Sequence, residues 1–160
     1  MKTTKIQWKP LIISILISLS VGGLSALLTM SSMNQYKSYS LPVIAPPSYI
    51  FPIVWTILFI LMGISAYMIF VSKADKKLKA NALFLYGLQL IINFFWSIIF
   101  FNFQLLFFAF VWIILLWIVV LLMISKFYKV NKTAAYLQIP YLLWITFAAY
   151  LNLGIYIFNK

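Results

Sequence analysis

The chain has 160 residues, 66% of them hydrophobic and 8% charged, with a mean hydropathy of +1.08 and a formal charge of +11. That composition leaves too little polar surface for a water-soluble domain and marks an all-α integral membrane protein. With no Cys, no His, no Glu and Asp75 as the lone acid, it excludes Cys/His zinc sites, thiol chemistry, Ser-His-Asp catalysis and haem ligation through His or Cys.

Five apolar runs predict five membrane-spanning helices, at about 10–30, 50–71, 80–101, 105–125 and 134–158, forming one domain over residues 1–160. Each is close to the roughly 20 residues that cross a hydrocarbon core at 1.5 Å per residue. A short basic end with Lys2, Lys5 and Lys9 precedes the first run. Basic residues before an apolar stretch also fit a cleaved signal peptide, but the run is as long as a full span, which favours a retained helix. Ser14, Ser18, Gly22 and Ala26 recur every four residues along it, a stripe that permits close helix packing.

Residues 31–48 form the longest loop, punctuated by Pro42, Pro46 and Pro47, and a loop of this length suits a lid or a binding segment. The second helix opens with Phe51, Trp55 and Phe59 four residues apart, so the three rings share one face. A basic turn over 72–79, containing Asp75, leads to the third helix. There Gln89, Asn93 and Trp96 share a face, either for hydrogen bonds between helices or for a ligand. A tight turn at 102–104 precedes the fourth helix, whose Trp112 and Trp117 read as packing or lipid-facing rings. After Lys126, Lys129 and Lys132, the fifth helix carries Pro140 as an expected kink. Trp144, Ala148 and Leu151 lie on one face of it, where the small Ala148 leaves room for a flat ligand or for a neighbouring helix.

Ten of the lysines flank the N-terminal side of the five spans, and only Lys37 and Lys160 fall on the other. By the positive-inside rule the N-terminus is cytoplasmic, and the Pro-rich loop and C-terminus are outside. Lysines placed between apolar runs serve orientation and contact with anionic lipid headgroups rather than nucleic acid. Short loops and no recognisable transit peptide point to a bacterial plasma membrane.

Three separate stretches resemble the TspO/MBR family, the tryptophan-rich sensory and translocator proteins. They are Pro46-Pro47 through Phe51, Val54-Trp55, Leu61-Met62-Gly63 and Tyr67; Gln89, Asn93, Trp96-Ser97 and Phe100-Phe101; and Pro140-Tyr141-Leu142, Trp144 and Leu151-Asn152. They occur in family order and cover nearly the whole chain. The resemblance implies a five-helix bundle, usually a homodimer, with a pocket that binds tetrapyrroles such as protoporphyrin IX and needs no resident cofactor. Carried over by position, the pocket takes Trp55, Asn93, Trp96, Trp144, Ala148 and Leu151, with Tyr36 and Pro46 from the lid and Phe51 and Phe59 beside Trp55. This loop has Leu41 where many relatives are basic, and Ile44 and Tyr49 where Trp is common. Tyr150 is followed by Leu151-Asn152-Leu153 and no basic residue, so the cholesterol-recognition pattern of animal members is not completed.

The first functional expectation is a receptor-like protein for porphyrins and other apolar ligands, in stress response or porphyrin homeostasis. The second is light- and oxygen-dependent breakdown of protoporphyrin, with Trp55 and Trp144 as the redox-active catalytic residues. The third is transport of porphyrins or other apolar solutes, against which the lack of any intramembrane charge counts for ion coupling.

Overall fold

The computed structural model describes residues 6–32 and 34–160, so the basic residues Lys2 and Lys5 lie outside the described residues. The described chain is helical, with no strand. The helices are α1 (Trp8–Thr29), α2 (Asn34–Ser38), α3 (Ile50–Phe70), α4 (Lys76–Ser97), α5 (Leu106–Val130), α6 (Lys132–Tyr136) and α7 (Ile139–Phe158). Counting α6 and α7 together, five helical segments are long and apolar enough to cross a membrane. The protein is a multi-pass membrane protein.

Several boundaries differ from the sequence-based expectation, each for a local reason. The basic turn at 72–79 is shorter than expected because Asp75 caps α4, accepting from the backbone N–H groups of Lys77 at 2.9 Å and Leu78 at 3.1 Å. Helix α5 runs on to Val130, so Lys126 and Lys129 extend its last turns, where cations favour the helix C-terminus. Pro140 does not kink a continuous helix. The chain breaks at Leu137 and Gln138, and Pro140 falls in the first turn of α7, where its missing N–H costs nothing. The 31–48 loop is partly ordered into a 3-10 turn (Met30–Ser32) and α2.

The α1 stripe divides its work. Ser14 donates to the Gly63 carbonyl at 2.7 Å, and Ser18 shares a short hydrogen bond with the Tyr86 hydroxyl. A Cβ on Gly63 would stand 2.5 Å from the Ile15 Cα, so glycine is what lets α1 and α3 cross this closely. Trp112 and Trp117 both pack. Trp112 Nε1 donates to the Ile92 carbonyl at 2.8 Å, and Trp117 Nε1 to the Thr146 hydroxyl at 2.9 Å, fastening α5 to α4 and α7.

One end of the bundle gathers Lys9, Lys73, Lys76, Lys77, Lys79, Lys126, Lys129 and Lys132, since α1 and α4 begin there and α3 and α5 end there. The Gln7 N–H bound to the Tyr67 hydroxyl at 2.9 Å ties the start of α1 to the end of α3. At the opposite end lie α2, the start of α3, the start of α5 and the end of α7. Between Ser97 and Phe103 the helix widens into a π turn (Ile98–Asn102), closed by a bond from Phe103 N–H to the Ile98 carbonyl at 3.1 Å. Gln104 then adopts a left-handed φ of 54° to turn the chain into α5.

Candidate functional site

A cavity of about 830 Å³, its open mouth included, occupies the lysine-poor half of the bundle between α1, α3, α4 and α7. From α3 the four-residue spacing brings Phe51, Trp55 and Phe59 to its wall, with Trp55 and Phe59 stacked at 5.6 Å between ring centroids. From α4 come Asn93, Trp96 and Ser97, and α7 supplies Ala148, Leu151, Asn152 and Ile155. The π turn adds Phe100 and Phe101, with Phe100 stacked on Trp96 at 5.5 Å. Its wider turn brings these two consecutive rings to the same wall. Ala26 and Pro52 line the cavity yet are exposed, so it reaches the outside of the bundle between α1 and α3.

The buried amides of α4 settle between the two roles their spacing left open. Tyr141 donates its hydroxyl to Gln89 Oε1 at 2.9 Å and accepts from Asn93 Nδ2 at 2.9 Å, and Gln89 Nε2 points at the Met62 sulfur, 3.9 Å away. Gln89 is therefore a packing residue. Asn93 is shared: its Nδ2 is used by Tyr141, while its Oδ1 makes no hydrogen bond among the described residues. Trp96 Nε1 donates to Asn152 Oδ1 at 3.2 Å, and Asn152 Nδ2 donates to the Leu106 carbonyl at 2.9 Å, which fixes the Trp96 ring against the wall.

The cap over this end is built by α2 and the chain that follows. Tyr36, 5% exposed, lines the cavity and packs edge-on against Phe51 at 5.2 Å; Tyr39 packs edge-on against Phe100 at 6.4 Å. Both hydroxyls are buried without a hydrogen-bond partner among the described residues, and burial pushes both phenols up from their ordinary value, so they stay protonated. Asn159 latches the cap to the end of α7, accepting from the Ser40 N–H at 2.9 Å and donating to the Ser40 carbonyl at 3.0 Å. Pro42 fits over Gly154, where a Cβ would collide with the proline ring.

Of the site residues expected from sequence, the structure gathers Tyr36, Phe51, Trp55, Phe59, Asn93, Trp96, Ala148 and Leu151 around one cavity. It does not bring Pro46 or Trp144 to that wall. Trp144 lines an outer groove with Val54, Leu58, Pro140 and Phe147, and meets the cavity only through Phe51, 5.9 Å away. Tyr141, one turn before it on α7, packs on Trp55 at 6.1 Å. The two tryptophans expected as candidates for redox catalysis thus stand on different surfaces, and of the two Trp55 lines the cavity. Residues that spacing missed include Gly22, Ser25, Ala26 and Thr29 of α1. Half of the small-residue stripe, Gly22 and Ala26, lines the cavity, which a rule about packing does not reveal.

The TspO/MBR family model matches residues 14–157. The chain is 40% identical to a tryptophan-rich protein TspO of Chlorobaculum tepidum over 121 residues, covering 75% of this chain and 76% of the relative. It is 38% identical to a tryptophan-rich protein TspO of Archaeoglobus fulgidus over 152 residues, 93% and 96% of the two chains. It is also 32% identical to the translocator protein of Sus scrofa over 121 residues, 75% and 72% of the two chains.

Proposed function

The chain belongs to the TspO/MBR family, and from that premise we propose that it binds flat apolar ligands of the tetrapyrrole type, protoporphyrin IX among them, in the cavity between α1, α3, α4 and α7. The observation that supports this reading best is the wall of stacked rings, Trp55 on Phe59 and Trp96 on Phe100, facing one cavity. Offset aromatic contacts contribute roughly 0.5–1.5 kcal/mol each beyond the burial of area, which suits a flat conjugated ligand. The role that follows is that of a receptor or buffer for porphyrins in stress response or porphyrin homeostasis.

In this reading no resident cofactor is needed, and the protein works as a homodimer in a bacterial plasma membrane. The lysine-rich end is cytoplasmic, and the cap with Tyr36 and Tyr39 faces outward. The orientation has a clean test because the chain contains no native cysteine. Single cysteines at the exposed positions Ser40 and Lys73, probed with a membrane-impermeant maleimide on intact cells, should label only at Ser40; the reverse pattern inverts the assignment.

Ligand binding is tested by titrating the detergent-purified protein with protoporphyrin IX in darkness and following tryptophan fluorescence. Saturable quenching that disappears in Ala148→Phe places the ligand in the cavity. Quenching that never saturates, or is unchanged by Ala148→Phe, means partition into the micelle and removes the reading.

A further inference from the structure

The end of the bundle opposite the cavity carries a cluster on the outer surface of α5 and α6. Asn131 has an extended backbone (φ −154°, ψ 113°), so α5 stops at Val130 and the chain turns directly into α6. Asn131 also caps α6, accepting from the Ala134 N–H at 3.1 Å. This corner brings two side chains of α6 onto the last turn of α5. The Lys132 ammonium lies 5.3 Å from the centre of the Tyr128 ring, and Tyr136 packs edge-on against the same ring at 6.1 Å. All three residues are exposed. A cation settled over a ring loses none of its N–H donors, which stay available to an anion on its open side.

Charge separates this corner from the rest of the lysine-rich end. Asp75 sits at the corner between α3 and α4, where Lys79 is already engaged: it donates to the Ser72 carbonyl at 2.9 Å and lies 5.9 Å from the centre of the Phe70 ring. At the corner between α5 and α6, Lys126, Lys129 and Lys132 follow one another, and residues 76–160 contain no acid at all. Below that corner runs an apolar seam. Tyr128, Ile124, Leu121 and Trp117 recur every three or four residues and share one face of α5. The antiparallel α7 offers Ile139 and Leu143 at matching levels, and Leu121, Ile139 and Leu143 are exposed. Trp117 closes the far end of the seam through its bond to the Thr146 hydroxyl. From Trp117 to Tyr128 is about 16 Å of helix, half of a hydrocarbon core of roughly 30 Å. An apolar seam one leaflet long, headed by two tyrosines and a lysine, has the order of a phospholipid from tail to headgroup.

We infer that this seam is a selective site for one anionic phospholipid, with its phosphate at Lys132 and Tyr136 and an acyl chain between α5 and α7. Lipid covers every outer face of a membrane protein. What sets this face apart is a cation positioned over a ring beside a phenol donor, with no acid nearby to compete for it. Phosphatidylglycerol brings a net negative charge to that cation, whereas the choline of phosphatidylcholine brings a second cation to a basic corner. The seam shares no residue with the cavity, so this inference and the tetrapyrrole reading stand or fall separately.

The test titrates the full-length protein, stripped of lipid in a neutral detergent, with dioleoylphosphatidylglycerol or dioleoylphosphatidylcholine and counts bound lipids by native mass spectrometry. The first phosphatidylglycerol should bind about fivefold or more tighter than the first phosphatidylcholine. Lys132→Gln should weaken it about fivefold, and Tyr136→Phe about two- to threefold. Lys132→Arg, which keeps the charge and can still lie over the Tyr128 ring, should stay within about twofold of wild type. Lys73→Gln removes the same charge from an exposed position at the other corner and should also stay within about twofold. All four positions are on the surface, so melting without lipid should match wild type.

Equal binding of the two lipids overturns the inference. So do equal losses in Lys132→Gln and Lys73→Gln, which would mean general attraction to a basic surface. Glycerophosphoglycerol, the same headgroup without its chains, should fail to displace the bound lipid even in large excess. Displacement by it would mean a site for soluble phosphate esters to which the seam contributes nothing, and would overturn the inference as well.

Discussion

The Ser14 hydroxyl donates to the Gly63 carbonyl at 2.7 Å where α1 and α3 cross most closely, and a Cβ on that same glycine would come within 2.5 Å of the Ile15 backbone. One residue therefore provides both the clearance and the acceptor for the crossing. Gly63→Ala should destabilise the bundle by about 1–3 kcal/mol, because backbone cannot step aside as a side chain can. Ser14→Ala should cost less, about 0.6 kcal/mol, as hydrogen bonds between membrane helices are individually modest. Denaturation in mixed micelles ranks the two, and a larger effect for Ser14→Ala would show that clearance is not what the glycine provides.

Tyr141 joins α7 to two residues of α4 through a single oxygen. Tyr141→Phe strands Gln89 Oε1 and Asn93 Nδ2 together, at an expected cost of about 1–3 kcal/mol. Adding Gln89→Leu to Tyr141→Phe should cost less than the sum of the singles, since one buried acceptor then no longer lacks a partner. Strict additivity in the double-mutant cycle would mean the three groups do not act as a network.

Trp144 and Ala148 share a helical face yet should behave differently toward ligand. Ala148→Phe fills the cavity and should abolish saturable protoporphyrin quenching, whereas Trp144→Phe, which changes the outer groove, should leave the dissociation constant within about threefold. A loss for Trp144→Phe equal to that for Ala148→Phe would place the ligand in the groove instead.

The paired bonds between Asn159 and Ser40 fasten the cap without touching the cavity. Asn159→Ala should raise ligand association and dissociation rates together, by several-fold, while the affinity changes little. Stopped-flow fluorescence separates this from a change in dissociation alone, which would make the latch part of the ligand contact.

Alkaline stability should report on Tyr36. Its folded pKa lies above the ordinary 10.0 because the ring is buried. The folded state thus holds the proton longer than the unfolded chain, and this stabilisation is present below pH 10 and is lost as pH rises through the folded value. Wild type and Tyr36→Phe should keep a constant difference in melting temperature from pH 6 to 9. Above pH 10 the wild type should fall more steeply, and parallel curves throughout would mean that the phenol is free to ionise.

Periodicity and hydropathy make the five spans legible, because each apolar run must satisfy its own backbone in lipid. The same spacing places Phe51, Trp55 and Phe59 on one wall. What it omits is depth. Trp144 and Ala148 are one turn apart on α7, but the first lines the outer groove and the second the cavity. Which neighbour occupies a given level of a bundle depends on contacts between distant segments, which a one-dimensional pattern does not carry. The role of α1 was hidden for the same reason: Gly22 and Ala26 read like Ser14 and Ser18, and only the neighbouring segments decide that the first two line the cavity. The π turn was also invisible, since nothing in Ile98–Asn102 distinguishes it from ordinary helix.

The eight lysines gathered at one end carry a further consequence. Moving one elementary charge through a membrane potential of 100 mV changes its energy by about 2.3 kcal/mol; turning the bundle over carries eight lysines and Asp75 one way and Lys37 and Lys160 the other, a net of five charges and roughly 12 kcal/mol between the two orientations. A difference of that size favours one orientation over the other. Two copies sharing that orientation would pair only the same way round, and the mouths of their cavities would then open at the same height in the membrane.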